Sequence, residues 1–574
     1  MESASKSRGE RKLKPNKEDR RNDLAEDRTN SLINRRKFLE VGVTVGVAAA
    51  LASPALARMA EDSAFAAPPT SAKSFELEEA TIAELQEGMR DGKWSAREIA
   101  EKYIAQIEKF DRKGPALNSI IELNPDALTI AGSLDRERKS KGARSPLHGI
   151  PVLLKDNIDT ADRMRTSAGS LALADTFAPR DAFIVKQLRE AGAVILGKTN
   201  LSEWANFRST HSSSGWSGRG GQTRNPYAVD RNPCGSSSGS GAAIAANFAA
   251  VAVGTETDGS IVCPASANSL VGIKPTLGLV SRSGIIPISH SQDTAGPMTR
   301  SVTDACILLN ALVGIDPRDR ATQSSRGKSH ADYTRFLDPA GLRGARIGVA
   351  RKFFGFNDKV DKLMADAIDA LKRAGATVVD PADLPSHGKY DDSEFEVLLY
   401  EFKADLNKYL VERGGGAPRS LKELIEFNER NREREMPYFG QEIFTKAQAK
   451  GPLTSRAYLA ALAKNHRLSR AEGIDAAMNK HRLDALIAPT GGPPWTTDLV
   501  NGDHFSGGSS TPAAVAGYPN ITVPAGYVYG LPVGISFFGR AYSEPVLIKL
   551  AYAFEQATKH RRPSQFRDTA ELRV

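Results

Sequence analysis

The sequence predicts an α/β fold that begins near residue 75. From there onward, segments with apolar residues at helical spacing alternate with short apolar runs typical of buried strands, and no internal repeat is present. The chain has 574 residues, of which 40% are hydrophobic and 25% charged, so it is long enough to bury a large core. We therefore expect a single domain over residues 75–574.

The elements of this domain follow in order along the chain. Apolar residues at helical spacing in residues 77–110 predict two opening helices, and the apolar run 149–154 predicts a strand that ends at Lys155. The charged stretch 390–470, broken by three glycines at 414–416, predicts a helical lobe. The remaining predictions are strands at 193–196, 347–350, 485–489 and 521–524, and a closing helix at 543–558.

The first 57 residues predict an export signal. Arg35 and Arg36 precede an uncharged run, residues 41–52, which is followed by small residues up to Ala57. A basic segment, a short apolar segment and a small-residue cleavage site form a signal peptide, and paired arginines are typical of twin-arginine export. An apolar run of this length falls short of the about 20 residues that span a bilayer. No stable membrane insertion is therefore expected.

The signal has three consequences for the mature protein. We expect cleavage after Ala57, with Ala66 as the alternative, and a linker over residues 58–74. The twin-arginine export machinery would be a partner, and the protein would be periplasmic or secreted.

The net charge of +9 does not predict nucleic-acid binding. Residues 1–40 hold twelve Lys/Arg and eight Asp/Glu, which leaves only +5 for the other 534 positions. Binding to phosphates needs clustered cations, and no basic stripe is evident.

Glycine and serine are concentrated in residues 234–243 and in residues 254–263. Small residues let backbones approach closely and leave successive N–H groups free to point at one spot. Such groups stabilise the negative charge that develops on a carbonyl oxygen during acyl transfer. The two segments therefore predict an oxyanion hole.

With these segments the sequence resembles the amidase signature family. The family's fingerprint is a Gly/Ser-rich loop, a small-residue helix and a second loop ending in Gly-Ser-Ile, here Gly259-Ser260-Ile261. The resemblance implies a large mixed central β-sheet flanked by helices on both sides, with a signature core at about 149–305. Further matching motifs lie, in the family's order, at residues 149–157, 197–201, 272–276, 293–298 and 530–534.

The resemblance also implies a catalytic triad. Ser260 would be the nucleophile, Ser236 a bridging serine in a cis peptide, and Lys155 the base. A lysine can act as a base only when its amine is neutral, so its pKa must fall from about 10.4 toward about 7 to 8. The backbone N–H groups of Thr257, Asp258, Gly259 and Ser260 are the expected oxyanion donors. Neither a metal nor an organic cofactor is expected.

Four positions depart from the general family pattern, and they bear on substrate preference. Asp258 and Val262 stand where the pattern has Gly and usually Arg, Cys234 replaces a Gly, and Glu256 replaces the commoner Asp. The sequence of residues 254–263, together with that of residues 291–294, most resembles the sequences of the peptide amidase branch, whose members remove the C-terminal amide of peptides.

Three cysteines occur, Cys234, Cys263 and Cys306, so no disulfide framework is expected. We expect all three to be small buried hydrophobes. The alternative is a bridge between Cys234 and Cys263, which flank the two serines of the implied triad.

Three other motif patterns also match this sequence, but the residues around each match do not have the local structure that the motif requires. Residues 192–199 fit the nucleotide-binding P-loop, yet the variable positions read as a buried strand. Residues 235–239 fit a nucleophile elbow centred on Ser237, but residues 231–234 are no strand. The Ser-x-x-Lys match at 325–328 lies in a polar loop.

The sequence therefore predicts hydrolysis of a carboxamide through an acyl-enzyme on Ser260, with peptide C-terminal amides as substrate. The alternative is an aryl or alkyl acylamidase of broad specificity. A third possibility is an exported binding protein whose triad has lost activity. A tRNA amidotransferase subunit is disfavoured because an exported protein does not meet cytosolic tRNA.

Overall fold

A mixed sheet of eleven strands organises the part of the chain that this computed structural model describes, residues 75–572. Two further short strands pair with each other. The predicted signal peptide, the linker and both cleavage positions lie outside the described residues. The strands are β1 (Ile120–Leu123), β2 (Pro151–Lys155), β3 (Val194–Thr199), β4 (Trp216–Ser217), β5 (Gly221–Gln222), β6 (Val251–Glu256), β7 (Val271–Lys274), β8 (Thr294–Thr299), β9 (Arg346–Val349), β10 (Thr377–Val379), β11 (Ala485–Pro489), β12 (Asn520–Val528) and β13 (Leu531–Phe538).

The strand order across the large sheet is β1-β3-β2-β6-β8-β7-β12-β13-β11-β9-β10. Strand β2 runs parallel to both of its neighbours, since Leu154 is paired with Lys198 of β3 and with Val253 of β6. Strands β6 and β8 are antiparallel. Because β2 and β6 are parallel and adjacent, they end at the same edge of the sheet, which places Lys155 beside the last residues of β6.

Helices flank the sheet, as the resemblance implied. They are α1 (Ile82–Arg90), α2 (Ala96–Gln106), α3 (Ala127–Lys141), α4 (Phe183–Glu190), α5 (Ser238–Ala245), α6 (Val262–Ala267), α7 (Val302–Leu312), α8 (Asp358–Arg373), α9 (Asp391–Arg413), α10 (Leu421–Arg430), α11 (Arg432–Glu435), α12 (Glu442–Gln448), α13 (Arg456–His466), α14 (Asp475–His481), α15 (Thr511–Ala516) and α16 (Glu544–Thr558). Short π segments extend α2 over Ile107–Asp111 and α13 over Arg467–Ile474.

The predicted elements are confirmed, and several strands were missed. The two opening helices, the strand ending at Lys155, the four later strands and the closing helix all appear within five residues of the predicted bounds. The strands that were not predicted are β1, β4, β5, β6, β7, β8, β10 and β13. Three of them, β6, β7 and β8, contain glycine, and β8 also contains Pro297. Glycine and proline are depleted in strands, so a pattern based on apolar β-branched residues does not detect these three.

Helix α5 carries the Gly/Ser-rich sequence into the interior, and all eight of its residues are buried. A side chain at Gly239 would place its Cβ 2.3 Å from the Ser119 carbonyl oxygen and 2.5 Å from that of Asn200. Only glycine fits at so close an approach. The small residues therefore let α5 lie directly against neighbouring backbone.

The helices of the charged stretch pack on a second hydrophobic cluster. Phe402, Leu406 and Leu410 of α9 lie in one buried cluster with Phe444 of α12 and Trp204 of the segment that follows β3. The burial of these side chains holds α9 against α12 and the segment that follows β3.

The cysteine prediction was wrong for two of the three residues. Cys234 and Cys263 form a disulfide, with their Cα atoms 6.0 Å apart, whereas Cys306 is a buried free thiol. The alternative, a bridge between Cys234 and Cys263, is the one found; the sequence did not decide between the two, because the pairing depends on the placement of α6 beside the loop that precedes α5. None of the helices in residues 75–572 is long and apolar enough to cross a membrane.

Candidate active site

Lys155 is the last residue of β2, and its side chain is fully buried. Its Nζ lies 2.8 Å from Ser236 Oγ, so these two predicted residues are in direct contact. Burial lowers the pKa of Lys155 to about 7, although the carboxylates of Asp293 and Glu256 act in the opposite direction. A substantial fraction of the amine is therefore neutral at physiological pH.

Thr255, in β6, provides the other two hydrogen-bond partners of the lysine. Lys155 Nζ donates to Thr255 Oγ1 over 2.8 Å and to the Thr255 carbonyl oxygen over 3.2 Å. Asn157 Nδ2 also donates to Thr255 Oγ1, over 3.0 Å. A neutral amine has two hydrogens and one lone pair. With both hydrogens directed at Thr255, the lone pair faces Ser236, where it can accept the serine proton.

Ser236 is buried at the start of the Gly/Ser-rich segment, and the Gly235–Ser236 peptide bond is cis, as the resemblance implied. Its carbonyl oxygen accepts a hydrogen bond from the Ser202 N–H over 3.1 Å. The N–H of the next residue, Ser237, donates to the Ser260 carbonyl oxygen over 3.2 Å. The segments that carry the two predicted serines therefore lie side by side.

Ser260 is the last of four residues whose backbone N–H groups have no acceptor among the described residues. Among residues 75–572, no group accepts a hydrogen bond from the backbone N–H of Thr257, Asp258, Gly259 or Ser260. Gly259 has φ = 77°, a conformation that favours glycine and turns the chain between Asp258 and Ser260. We call residues 257–260 the oxyanion segment. Its free N–H groups are the kind of donor that stabilises an oxyanion.

Glu256 fixes the C-terminal end of this segment. Its buried Oε2 accepts hydrogen bonds from the N–H groups of Ile261 (2.8 Å) and Val262 (3.0 Å) at the start of α6. Burial raises the pKa of Glu256, while the nearby Lys274 lowers it. The glutamate that departs from the family pattern therefore anchors the backbone just after Ser260.

Asp293 supports the N-terminal end of the segment. Its Oδ1 accepts from Thr257 Oγ1 over 2.6 Å, and its Oδ2 accepts from the N–H groups of Ile288 and Ser289, each over 2.8 Å. Burial raises the pKa of Asp293 to about 6, although these hydrogen bonds lower it. Asp293 is thus a negative charge close to the lysine at neutral pH.

A cavity of about 200 Å³ lies next to these residues. Asn157, Thr255 and Thr257 line it, although Ser236 and Ser260 are not among its lining residues. The apolar stretch 285–288 and α9 also contribute to the lining. The α9 residues in the wall are Asp405, Lys408, Tyr409 and Glu412. The cavity reaches the oxyanion segment, as a substrate site for acyl transfer must.

Three comparisons with known proteins bear on this arrangement. The family model described as amidase matches residues 98–548. A probable amidase of Arabidopsis thaliana is 44% identical over 502 residues, which cover 86% of this chain and 93% of that protein. The native peptide amidase of Stenotrophomonas maltophilia is 53% identical in a solved structure with a TM-score of 0.82, covering 86% of this chain and 99% of that chain.

The chain belongs to the amidase family. It is accordingly a hydrolase of amide C–N bonds. A bacterial aryl acylamidase of the amidase signature enzymes is also similar, at 25% identity and a TM-score of 0.68, with 84% of this chain and 97% of that chain covered.

The competing motifs do not form sites in this amidase. Residues 194–199 of the P-loop match are the buried strand β3, and Lys198 Nζ donates to the Ile158 carbonyl oxygen over 2.6 Å. No strand precedes residue 235 directly in the described chain. Lys328 of the Ser-x-x-Lys match lies over the ring of Tyr542, at 4.5 Å, rather than on Ser325.

Sequence spacing also missed a group of possible metal ligands. His290, Glu401 and Asp405 each offer one ligand atom, all within 4.8 Å of one another, beside the cavity of the amidase. His290 Nδ1 lies 2.8 Å from Asp405 Oδ2, and Tyr458 donates to Glu401 Oε1 over 2.7 Å. The three groups therefore already form a hydrogen-bonded network that joins α9 to the loop before β8.

Thr255, Asn157 and Asp293 are the site residues of the amidase that sequence analysis did not assign. Thr255 was detectable in principle, because parallel neighbouring strands end at one sheet edge, but β6 itself was not predicted. Asp293 stands in a quoted motif, yet its contact with Thr257 depends on the pairing of β6 with β8.

Proposed function

We propose that this amidase hydrolyses carboxamides through an acyl-enzyme on Ser260, with Ser236 as proton relay and Lys155 as base. The observation that carries the proposal is the 2.8 Å contact between Ser236 Oγ and a buried lysine amine whose pKa is lowered to about 7. A neutral amine in contact with a serine hydroxyl is a suitable general base at neutral pH.

The proposed reaction proceeds in two halves. Lys155 takes a proton from Ser236 as Ser236 takes one from Ser260, and the Ser260 oxygen attacks the amide carbon. The N–H groups of the oxyanion segment stabilise the oxyanion, each contributing roughly 3 to 4 kcal/mol. The departing nitrogen receives the proton through Ser236 and leaves as ammonia or an amine. Water then hydrolyses the ester by the same route, releasing the acid and free Ser260.

We propose the C-terminal amide of a peptide as the substrate. The likeness to the Stenotrophomonas maltophilia peptide amidase, at 53% identity, is much stronger than the likeness to the aryl acylamidase, at 25%. A cavity lined both by an apolar stretch and by polar residues of a helix suits a peptide, whose side chains and backbone need both. The apolar stretch 285–288 would also suit an anilide ring, so acylamidase activity is the alternative.

We further propose that the protein is exported to the periplasm or secreted. The twin-arginine pattern of residues 35–57 supports export. The disulfide between Cys234 and Cys263 supports it independently, because structural disulfides persist in oxidising compartments.

The deciding experiment measures ammonia release from a C-terminally amidated dipeptide and aniline release from acetanilide. We expect rapid ammonia release by the purified protein and its loss, by a factor of about 10⁴ or more, in Ser260→Ala. Ser324→Ala is the matched control, because Ser324 donates to the Ala321 carbonyl oxygen in another part of the fold.

The outcomes separate the candidates. Cleavage of acetanilide alone would establish the acylamidase and overturn the peptide assignment. Equal activity of Ser260→Ala and the unaltered protein would overturn the mechanism, and no activity on any amide would favour an exported binding protein.

A further inference from the structure

Gln292 lies in the loop before β8, and the proposed mechanism gives it no role. Its side chain is buried, and only 1% of the residue is exposed. Nε2 donates to the Thr257 carbonyl oxygen over 3.3 Å and to Glu394 Oε1, in the first turn of α9, over 2.9 Å. A carbonyl oxygen only accepts hydrogen bonds, so the nitrogen of the Gln292 amide must face Thr257. Oε1 has no hydrogen-bond partner among the described residues, and the side chain therefore acts through its two N–H groups alone.

The Thr257 carbonyl belongs to the same peptide unit as the N–H of Asp258. A peptide unit is planar, and this one is trans. In a trans unit the carbonyl oxygen and the N–H hydrogen point in opposite directions. A hydrogen bond that fixes the carbonyl toward Gln292 therefore directs the Asp258 N–H to the opposite side. The same bond polarises the unit and makes that N–H a stronger donor.

The other contacts of Thr257 and Asp258 do not act on this peptide unit. Asp293 accepts from the Thr257 hydroxyl over 2.6 Å, and Thr511 Oγ1 donates to Asp258 Oδ2 over 2.7 Å, so both contacts involve side chains. Within residues 75–572, Gln292 is the one group that hydrogen-bonds the backbone of the unit. Gln292 is thus the contact that opposes rotation of the Asp258 N–H.

We propose that Gln292 is a positioning residue for amide hydrolysis, which holds the Asp258 N–H in the direction of the developing oxyanion. The inference rests on the proposed role of the oxyanion segment. Glu394 supports Gln292 from α9, since its Oε1 accepts the second N–H of the same amide. Loss of the Gln292 contact frees the peptide unit to rotate, and the oxyanion loses one aligned donor. Such donors act most strongly in the transition state, so kcat falls while KM changes little.

The test is Gln292→Met, which keeps the length of the side chain and removes both N–H donors. On the amidated dipeptide we expect kcat to fall about ten- to a hundredfold, with KM within about twofold of that of the unaltered protein. A dipeptide aldehyde gives a second readout, because Ser260 adds to its carbonyl carbon and leaves the oxygen in the oxyanion position. Its inhibition constant should rise by about the same factor by which kcat/KM falls.

Gln441→Met is the matched control. Gln441 is 6% exposed, and its Nε2 also donates to one carbonyl oxygen, that of Ile425 over 3.2 Å, and to one carboxylate, Glu429 Oε1 over 2.9 Å. It also accepts from Asn428, so the control variant loses one hydrogen bond more. Gln441 does not line the cavity. Both variants should therefore lower the urea midpoint, and only Gln292→Met should lower kcat.

A second pair of variants, Glu394→Gln and Glu394→Met, tests the contact from its other end. Both remove the same charge, but only glutamine keeps an oxygen that can accept from Gln292. We expect kcat of Glu394→Gln to stay within about threefold of that of the unaltered protein, and kcat of Glu394→Met to fall about tenfold.

Two outcomes would overturn the inference. One is equal kcat/KM in Gln292→Met and Gln441→Met, and the other is equal kcat in Glu394→Gln and Glu394→Met. Both leave the proposed mechanism standing if Ser260→Ala is inactive. An active Ser260→Ala removes the mechanism itself, and the role of Gln292 with it.

Discussion

Both oxygens of Thr255 accept a hydrogen bond from the Lys155 amine, Oγ1 over 2.8 Å and the carbonyl oxygen over 3.2 Å. The threonine therefore decides the direction of the lysine lone pair. Replacing Thr255 with valine keeps the shape and removes Oγ1 as an acceptor. We expect kcat to fall about ten- to a hundredfold with KM nearly constant, because orientation of the base is lost.

The control for this change is Thr558→Val. The Thr558 hydroxyl donates to the Phe554 carbonyl oxygen at the end of α16, so its loss should leave steady-state kinetics on the amidated dipeptide unchanged. Equal kcat in Thr255→Val and the unaltered protein would show that the Thr255 hydroxyl does not orient the amine.

The acid side of the pH profile should follow Lys155. Since its amine must be neutral, kcat/KM should rise through about pH 7, the pKa to which burial lowers it. Asp293 raises that pKa, so Asp293→Asn should move the rise to lower pH, with a lower maximum because the Thr257 contact is weakened. A profile that is level from about pH 5 to 9 would contradict a lysine base.

The Cys234–Cys263 disulfide should contribute to stability and to activity. It closes a 29-residue separation, for which chain entropy predicts about 3 to 4 kcal/mol of the free energy of unfolding. It also joins the residue two before Ser236 to the residue three after Ser260. We expect dithiothreitol to lower the urea midpoint and the rate of ammonia release. The double variant Cys234→Ser/Cys263→Ser should show both losses without further response to the reductant.

Arg208 should be essential for folding rather than chemistry. It is fully buried, with Nη1 2.8 Å from Glu203 Oε1 and its guanidinium 4.3 Å from the Phe439 ring. Arg208→Ala leaves a buried carboxylate without its partner, which costs about 3 to 5 kcal/mol in the free energy of unfolding. Urea denaturation measures the loss.

The matched control for Arg208 is Arg180→Ala. The ion pair of Arg180 with Glu412 is about half exposed on both sides, so its loss should cost at most about 1 kcal/mol. Similar urea midpoints for the two variants would contradict the importance assigned to the buried pair.

Export should depend on Arg35 and Arg36. We expect the double variant Arg35→Lys/Arg36→Lys to accumulate in the cytosol as uncleaved precursor, while the unaltered protein is recovered outside it with a new N-terminus after Ala57 or Ala66. Fractionation followed by N-terminal sequencing measures both. Normal export of the variant would show that the paired arginines are not read as a twin-arginine signal.

The sequence predicted the fold class and the position of Lys155 because both depend on local pattern. The apolar run before Lys155 shows that the residue ends a strand, and the Gly/Ser-rich text marks the segments around Ser236 and Ser260. The choice between the two cysteine alternatives and the contact of Thr255 with Lys155 were not predictable in this way. The disulfide joins residues 29 positions apart and the hydrogen bond residues 100 positions apart, and both depend on strand order and helix placement.

The α9 residues that line the cavity and the groups that contact Lys155 belong to different parts of the fold. Lys155 and Thr255 lie on adjacent strands of the sheet, whereas Asp405, Tyr409 and Glu412 of the cavity wall lie on one helix. Mutations in the outer turns of that helix can change which amides bind without disturbing the strands. Natural selection can therefore change the range of amides that such an enzyme accepts by altering one helix, while the strands that carry Lys155 and Thr255 stay the same.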